Sequence, residues 1–581
     1  MDGPWASNVE TSPDNLTSGE DHLSSRHSAA ASSDVPFQST LAITSPDNYR
    51  GVNPENEANR DIMEGVSVQT LRHSDRQASN SFYNEASHQA RFSTDTTQDH
   101  SRGGHGAQLA GSAASLFISL PAELIDSILS YLSPYDLPAV AATCRTLYHH
   151  AVSDVIWQPI VQRHVPGARV RTPYPCASFR DLYAEHDRLW FLPKYKIWFG
   201  DRDLTGKLIL VRYDPRRGCI EGFELLAVSR KTSYQHWSAN HEVMIHCFEP
   251  SVKLHLDKPV LQFKVGDRHN DGGFSTRPGA NRFADEIPMA LDDRLQHMYS
   301  NFMLTKALSH EDADAMLSDD YPYGHIWPTP VVPACQRAAG VRSSDDIHRL
   351  SSGDRPHCRS EVSDQTFRIR RWIQMTGPAA RHGVGVGPVG GFTGAVGLHI
   401  GEEVMTYSTL DSMLYTPTPT KPWRGIWVGD YSGHGCEFLL INQPDDPPAT
   451  DDELGLVRRD SETDEEWEAR RREARIYRGR LEAIKLTGDP NVPRGEYTFV
   501  ADDLGLDGFI GLASEPPFCG ARVVRSKGHV AGTGFVQDKF IGSQLLLLGP
   551  DRLAQYWVGF GHISFFERVN IDEHLDPSRR S

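Results

Sequence analysis

The chain of 581 residues has no paired cysteines, no long apolar run and no excess of positive charge. Its eight cysteines, at 144, 176, 219, 247, 335, 358, 436 and 519, stand singly, and no two form a CxxC pair. That spacing excludes a RING-type zinc framework within this chain and fits free thiols in a reducing setting, cytoplasmic or nuclear. No apolar stretch of about 18 residues occurs, so no membrane-spanning helix is expected. The opening MDGPWASNVETSPDN has neither the basic nor the apolar segment of a secretory signal. A net charge of −17 argues against general nucleic-acid binding.

Catalytic signatures are missing as well. Neither a GxSxG elbow nor an HExxH pair is present, and no catalytic residue is assigned. Gly385-Val386-Gly387-Pro388-Val389-Gly390 fits GxGxxG literally. Pro388, with Gly391 and Gly394 following, favours a flexible loop over a strand-to-helix dinucleotide turn. His241, His246, His255, His434 and Cys436 lack the paired spacing of a zinc site, so no metal or cofactor is expected.

Residues 1–112 are rich in Ser, Thr, Asn, Gln, Asp and His and poor in aliphatics, the composition of a disordered tail. Ser12-Pro13 and Ser45-Pro46 are candidate proline-directed phosphorylation sites, although an unmodified polar tail is the plainer reading.

Periodic structure begins with Ser119–Trp157. Pro121 suits a first helical position, where its missing N–H leaves no bond unmade, and Glu123 suits the positive end of the helix dipole. Leu124, Ile125, Ile128, Leu129 and Leu132 form an apolar stripe at helical spacing. Ser133 and Asp136 make a capping pattern for a second helix, whose apolar face continues through Leu137, Val140, Ala141 and Cys144. Pro138 would cost about 3 kcal/mol in a helix interior, which places that helix's start near Asp136. Leu120-Pro121-x-Glu123-Leu124, Asp136-Leu137, Cys144-Arg145 and Trp157 together resemble an F-box, over residues 116–165. The resemblance implies docking on the Skp-type adaptor of a cullin–RING ubiquitin ligase. It implies Leu120, Pro121, Leu124, Ile128, Leu129, Leu132 and Leu137 as the adaptor-facing residues.

Beyond a helical linker at 166–192, in which Phe179, Leu182 and Tyr183 share one helix face, the period changes to two. YKIWF, GKLILVRYD, CIEGFELLAVS, EVMIHCFE, VKLHLD and VLQFKVG read as strands, as do RGIWVGDYS, CEFLLINQ, LEAIKLTG, EYTFVADDL, ARVVRSKGHVAG, SQLLLLG, RLAQYWVGF and HISFFERV. Between the two groups, residues 267–423 are rich in Gly, Asp, Ser and Pro, with islands such as FRIRRWIQM and VGLHIGEEVM. They read as a largely irregular insertion. Residues 444–478 read as an acidic loop and a charged, solvated helix. The expected class is α+β: a small all-α F-box, then one mainly antiparallel β-barrel-like domain made of 193–266 plus 424–570. Closure would remove sheet edges that invite aggregation.

Trp427-Val428-Gly429-Asp430-Tyr431-Ser432-Gly433-His434-Gly435-Cys436-Glu437, Leu486–Gly495 and Gly561–Phe566 resemble elements of the F-box proteins similar to F-box only protein 31. An F-box followed by this module is also a common fungal arrangement. The resemblance implies a barrel that binds a short segment of a target protein and, for the animal relative, a role in degrading cyclin D. Trp427, Asp430, Tyr431, His434 and Glu437 cluster at a Gly-rich turn and are the candidate target-binding residues, with structural turn chemistry as the competing reading. The expected function is therefore a non-catalytic substrate receptor of an SCF-type ligase. The alternatives are a barrel for a small hydrophobic ligand coupled to the F-box, or an F-box protein that acts without ubiquitination.

Overall fold

The computed structural model describes residues 43–44, 116–202, 204–230, 233–266, 286–289, 298–316, 325–341, 356–375, 398–431 and 434–578. Apart from Ile43–Thr44, the expectation for residues 1–112 lies outside the described residues, as does the Gly385–Gly390 loop.

Pro121 immediately precedes α1 (Ala122–Leu129), one residue before the first helical position expected for it, with Glu123 in the first turn and Ile125 and Leu129 turned inward. The Ser133 hydroxyl donates to the Asp136 carboxylate at 2.7 Å and accepts the Asp136 N–H at 3.3 Å. This tie starts α2 (Leu137–Ala141), so Pro138 falls in the first turn, where no preceding helical carbonyl meets its ring. Then come α3 (Arg145–Ala151), α4 (Asp154–Arg163), α5 (Phe179–Glu185) and α6 (Phe191–Tyr195). The hydroxyls of Ser153 and Ser178 cap α4 and α5 by accepting the N–H of Val155 and Asp181. His150 and Asp126 join α3 to α1 at 2.7 Å.

These short helices bury little by themselves. A single hydrophobic cluster runs from Ile125, Leu129 and Leu137 through Trp157, Leu182 and Trp190 into Trp198, Phe302, Phe367 and Tyr407 of the adjoining sheet. Phe179, Leu182 and Tyr183 of α5 are all buried at this junction.

The strands are β1 (Ile43–Thr44), β2 (Ile197–Gly200), β3 (Lys207–Asp214), β4 (Cys219–Ser229), β5 (Ser233–Trp237), β6 (Asn240–Cys247), β7 (Pro250–Lys264), β8 (Glu286–Pro288), β9 (Met298–Lys306), β10 (Ile326–Trp327), β11 (Ala338–Ala339), β12 (Val362–Met375), β13 (Leu398–Ser408), β14 (Gly425–Asp430), β15 (Cys436–Asn442), β16 (Leu481–Lys485), β17 (Tyr497–Ala501), β18 (Phe509–Ala513), β19 (Arg522–Gly532), β20 (Val536–Gly549), β21 (Arg552–Trp557) and β22 (His562–Arg568). The class is α+β, as the alternation predicts: short helices, then antiparallel sheets that include a closed barrel.

The ladders differ from the expected single sheet. The barrel closes within 425–568 alone, in the order β14-β15-β16-β17-β19-β20-β21-β22 and back to β14. The earlier strands form a second, eight-stranded sheet, β7-β4-β3-β2-β13-β12-β9-β8. Four of its members, β8, β9, β12 and β13, come from the stretch expected to be irregular. β12 and β13 are long and paired to each other, with Phe367, Ile369, Met405 and Tyr407 in the shared core. The polar and Gly-rich segments between them masked that pattern in the sequence.

Among the described residues, the β5–β6 hairpin is the part of the first group of strands that pairs with the barrel. The β14–β22 ladder covers Trp427–Gly429 opposite Phe566–Arg568, which leaves the start of β22 paired to β21 on one edge and open on the other. There β6 pairs parallel to β22, Met244 beside His562 and Ile245 beside Ile563. Trp237 pins the hairpin: its indole N–H donates to the Pro516 carbonyl at 3.0 Å and its ring meets Phe518. Shorter helices α7 (His310–Ala315) and α8 (Ser412–Tyr415) lie on the connections. In the acidic loop, α9 (Asp464–Ile476) starts at a Thr463–Glu466 capping box and buries no residue, the solvated helix that its charge pattern predicts.

Candidate functional site

Two surfaces answer to the expected sites. On α1, Leu124 and Ile128 lie one turn apart and stand 51% and 43% exposed. Pro121 is also exposed, as are Leu116 and Ile118 before the helix and Tyr131 after it. Leu120 and Leu132 are half-buried at its margin. Leu129 and Leu137 are different: at 2% and 1% exposure they belong to the core. An α-helix advances 100° per residue, so the rows 124/128 and 125/129 are adjacent but separate. The outer row is presented and the inner row carries the fold, which corrects the single adaptor-facing set expected for these residues. Between α2, α3, α4 and α5, Leu137, Pro138, Ala141, Tyr148, Trp157 and Arg180 line a cavity of about 280 Å³.

The second surface is one end of the barrel interior. Trp423, Trp427, Leu481, Phe499, Leu545 and Phe566 fill the other half with apolar side chains. Trp427 is fully buried there; its indole N–H donates to the Trp423 carbonyl at 3.0 Å and the Arg568 guanidinium lies 5.2 Å from its ring. It packs the barrel and presents no contact surface, contrary to the expectation for this residue.

Towards the end formed by the β14–β15 turn the lining becomes polar. The Tyr431 hydroxyl is 2.8 Å from Thr498 Oγ1, and Lys485 Nζ lies 4.6 Å from the Tyr431 ring. Lys485 Nζ binds Glu437 Oε2 at 2.8 Å and Asp489 Oδ2 at 2.5 Å. Asp489 also accepts the N–H groups of Asn491 and Val492 at 2.6 and 2.8 Å. Burial, reinforced by Asp489, raises the Glu437 carboxyl to about 8 against the pull of Lys485. Burial acts upward on Asp489 too, but Lys485, Glu437 and the Val492 N–H outweigh it and hold this group down at about 2. Of the two acids, Glu437 is thus the one that holds its proton at neutral pH and Asp489 the one that is ionised. Around the rest of the wall, Ser526 Oγ lies 2.8 Å from Ser543 Oγ, and Gln555 Nε2 donates to Ser543 at 3.0 Å. Gln555 stands opposite Ser564 in the β21–β22 register, and both are buried.

The turn does not gather all five expected residues. Tyr431 and Glu437 meet in the interior. Asp430 is buried on the other side of the strand, facing the β5–β6 hairpin, with Oδ2 3.6 Å from His246 Nε2. His246 stacks on Tyr234 and neighbours His562. His434 is exposed in the turn, where its backbone N–H donates to the Tyr431 carbonyl at 3.3 Å and Gly435 takes φ +85°. Lys485, Asp489, Thr498 and Gln555 were not anticipated. The alternation of Leu481, Ala483 and Lys485 along one strand face is the signal that would have found Lys485. Among the described residues no group of three or more His, Cys, Asp or Glu side chains is arranged to hold a metal ion.

A short helical domain with an outward apolar row, sharing a core with an eight-stranded antiparallel sheet and followed by a closed barrel with a core of its own, defines the architecture. Comparison with known families places names on its parts. Residues 117–163 match the family described as F-box-like, so an F-box-like domain is present. Residues 407–573, which hold the whole barrel, match the family described as Cyclin D1 binding domain. The chain is also similar to Protein EXECUTER 2, chloroplastic, of Arabidopsis thaliana, at 26% identity over 160 residues. That match covers 27% of this chain and 22% of the relative, so the chain spans about a fifth of that protein's length.

Proposed function

We propose that the chain is a non-catalytic substrate receptor of an SCF-type, cullin–RING ubiquitin ligase, akin to the fungal-type F-box proteins similar to F-box only protein 31. The F-box-like domain docks a Skp-type adaptor through Leu124 and Ile128, with Leu120, Pro121 and Leu132 at the margin. The polar end of the barrel, around Tyr431, Glu437, Lys485 and Asp489, takes a short segment of a target protein, with the exposed His434 at its rim. The receptor acts by raising the effective concentration of target near the ubiquitin-loaded enzyme.

The observation that carries this reading is the split of α1 into an outward apolar row and an inward row continuous with the β module's core. A solvent-facing pair of large aliphatics on a small helical domain is the form of a helix-docking surface. The core it shares fixes the helical domain on the eight-stranded sheet. The match of the barrel to a family described by cyclin D1 binding favours a protein as ligand. A small hydrophobic ligand is disfavoured, because Trp427, Phe499 and Phe566 occupy the apolar half of the barrel.

The deciding experiment is co-precipitation of the full chain with a Skp-type adaptor and its cullin, wild type against Leu124→Ala with Ile128→Ala. Loss of both partners from a variant that melts like wild type is expected. Undiminished adaptor capture would overturn the reading, and adaptor capture without cullin would favour a role outside ubiquitination.

A further inference from the structure

The loop from Gly488 to Glu496, between β16 and β17, joins four parts of the fold. At its start, Asp489 binds Lys485 inside the barrel. On one side the Gly488 N–H donates to the Thr205 carbonyl and the Arg494 N–H to the Leu204 carbonyl, both at 2.8 Å, in the β2–β3 turn of the other sheet. On the opposite side the Asn491 side chain donates to the Ala531 carbonyl at 2.8 Å, and the Gly534 N–H to the Pro490 carbonyl at 2.7 Å, at the tip of the β19–β20 ribbon. The Thr329 hydroxyl, beyond β10, donates to the Gly495 carbonyl at 2.7 Å.

The strongest tie is ionic. The Arg494 guanidinium pairs with Asp201, at the end of β2, and both side chains are shut from solvent, at 1% and 0% exposure. The same guanidinium lies 5.0 Å from the Trp327 ring. Between Asp489 and Arg494 the chain has little freedom. Pro490 and Pro493 fix φ, Val492 is buried, and a Cβ at Gly488 would come within 2.2 Å of the Arg494 nitrogen. A shift at Arg494 therefore moves Asp489.

We infer that Arg494 and Asp201 are positioning residues of the barrel's polar end: their buried ion pair seats the loop so that Asp489 reaches Lys485 and Glu437. The residues touching the interior all come from the barrel, yet their arrangement is set from the second sheet. The titratable groups that face Glu437 are Lys485 from β16, Asp489 from the loop and the Tyr431 hydroxyl from the β14–β15 turn. With Asp489 withdrawn, Lys485 serves Glu437 alone and the neighbouring negative charge is gone. Both changes favour the ionised form of Glu437. Only the consequence for target capture rests on the proposed function; the seating itself does not.

The test uses the full chain and isotope-edited infrared titration, with the Glu437 band assigned by its loss in Glu437→Gln. In Asp489→Asn the Glu437 midpoint should fall by about one pH unit or more. Arg494→Gln and Asp201→Asn should reproduce that fall, and Arg494→Lys should lie between, because it keeps the charge and loses the planar fork. Leaving one buried charge unpaired strains the fold, so the paired apolar replacement Asp201→Leu with Arg494→Met is included. A wild-type midpoint in any folded variant other than Arg494→Lys overturns the inference. A shifted midpoint with unchanged target capture upholds the seating and refutes the barrel end as the target site.

Discussion

Lys485 stands between two acids inside the barrel, 2.8 Å from Glu437 and 2.5 Å from Asp489. One cation cannot hold two carboxylates ionised in a buried site, and the two respond in opposite directions. Asp489, fixed by backbone N–H groups, stays ionised, while Glu437 keeps its proton.

The pH dependence of stability follows with a definite sign. Glu437 titrates near 8 when folded and near 4.5 when unfolded, so the folded chain binds more protons between those values. Its contribution to stability therefore falls as pH rises through that window. Asp489 acts the other way: its contribution is present above 3.8 and is lost as pH falls towards 2. Melting temperature measured from about pH 5 to 8 should decline less steeply in Glu437→Gln than in wild type.

The two rows of α1 predict separable phenotypes. Leu129→Ala empties a core position and should cost about 2–5 kcal/mol, visible as a lower Tm. Leu124→Ala with Ile128→Ala removes exposed side chains and should leave Tm within a few degrees of wild type. Each of its two losses should weaken adaptor binding by about 1 kcal/mol or more, at least about fivefold apiece. Calorimetric melting and adaptor titration, run on the same preparations, check both.

The shared core predicts which pieces fold. Residues 116–165 alone lose Leu182, Trp190 and Trp198 from their packing surface and should show no cooperative melt. Replacing residues 275–415 by a short Gly/Ser linker removes β8, β9, β12 and β13, leaving one edge of β2 unpaired and Trp198 uncovered. That chain should be insoluble. A soluble, cooperatively melting product would mean that β2, β3, β4 and β7 stand without their partners.

At the seam, Trp237→Ala should release the β5–β6 hairpin. The lost contacts with Pro516 and Phe518 should cost about 3–5 kcal/mol locally. Amide exchange should quicken in Ser233–Cys247 and on the edge of β22 that His562 and Ile563 share with β6, while β16 and β17 keep wild-type protection.

Much of this molecule is written locally. Pro121, the Ser133–Asp136 cap and the 3.6-residue stripe are enough to place α1 and α2. Alternation along LEAIK or RLAQYW is enough to identify strands, because each signal is a relation between residues a few positions apart. Strand partnership is a different kind of fact. β2 pairs with β13 because one has an edge that the other completes, although about two hundred residues separate them. The same holds for the candidate site. Glu437 was visible beside its glycines, but Lys485 and Asp489 gained meaning only when closure of the barrel put them within bonding distance. Arg494 lies 293 residues from Asp201 in sequence, and neither position signals the other. The helices and strands were determined by the sequence through local sterics and periodicity. Which edges met, which leucines turned inward and which charges were buried together were decided by the tertiary structure, because burial and edge satisfaction belong to the whole chain.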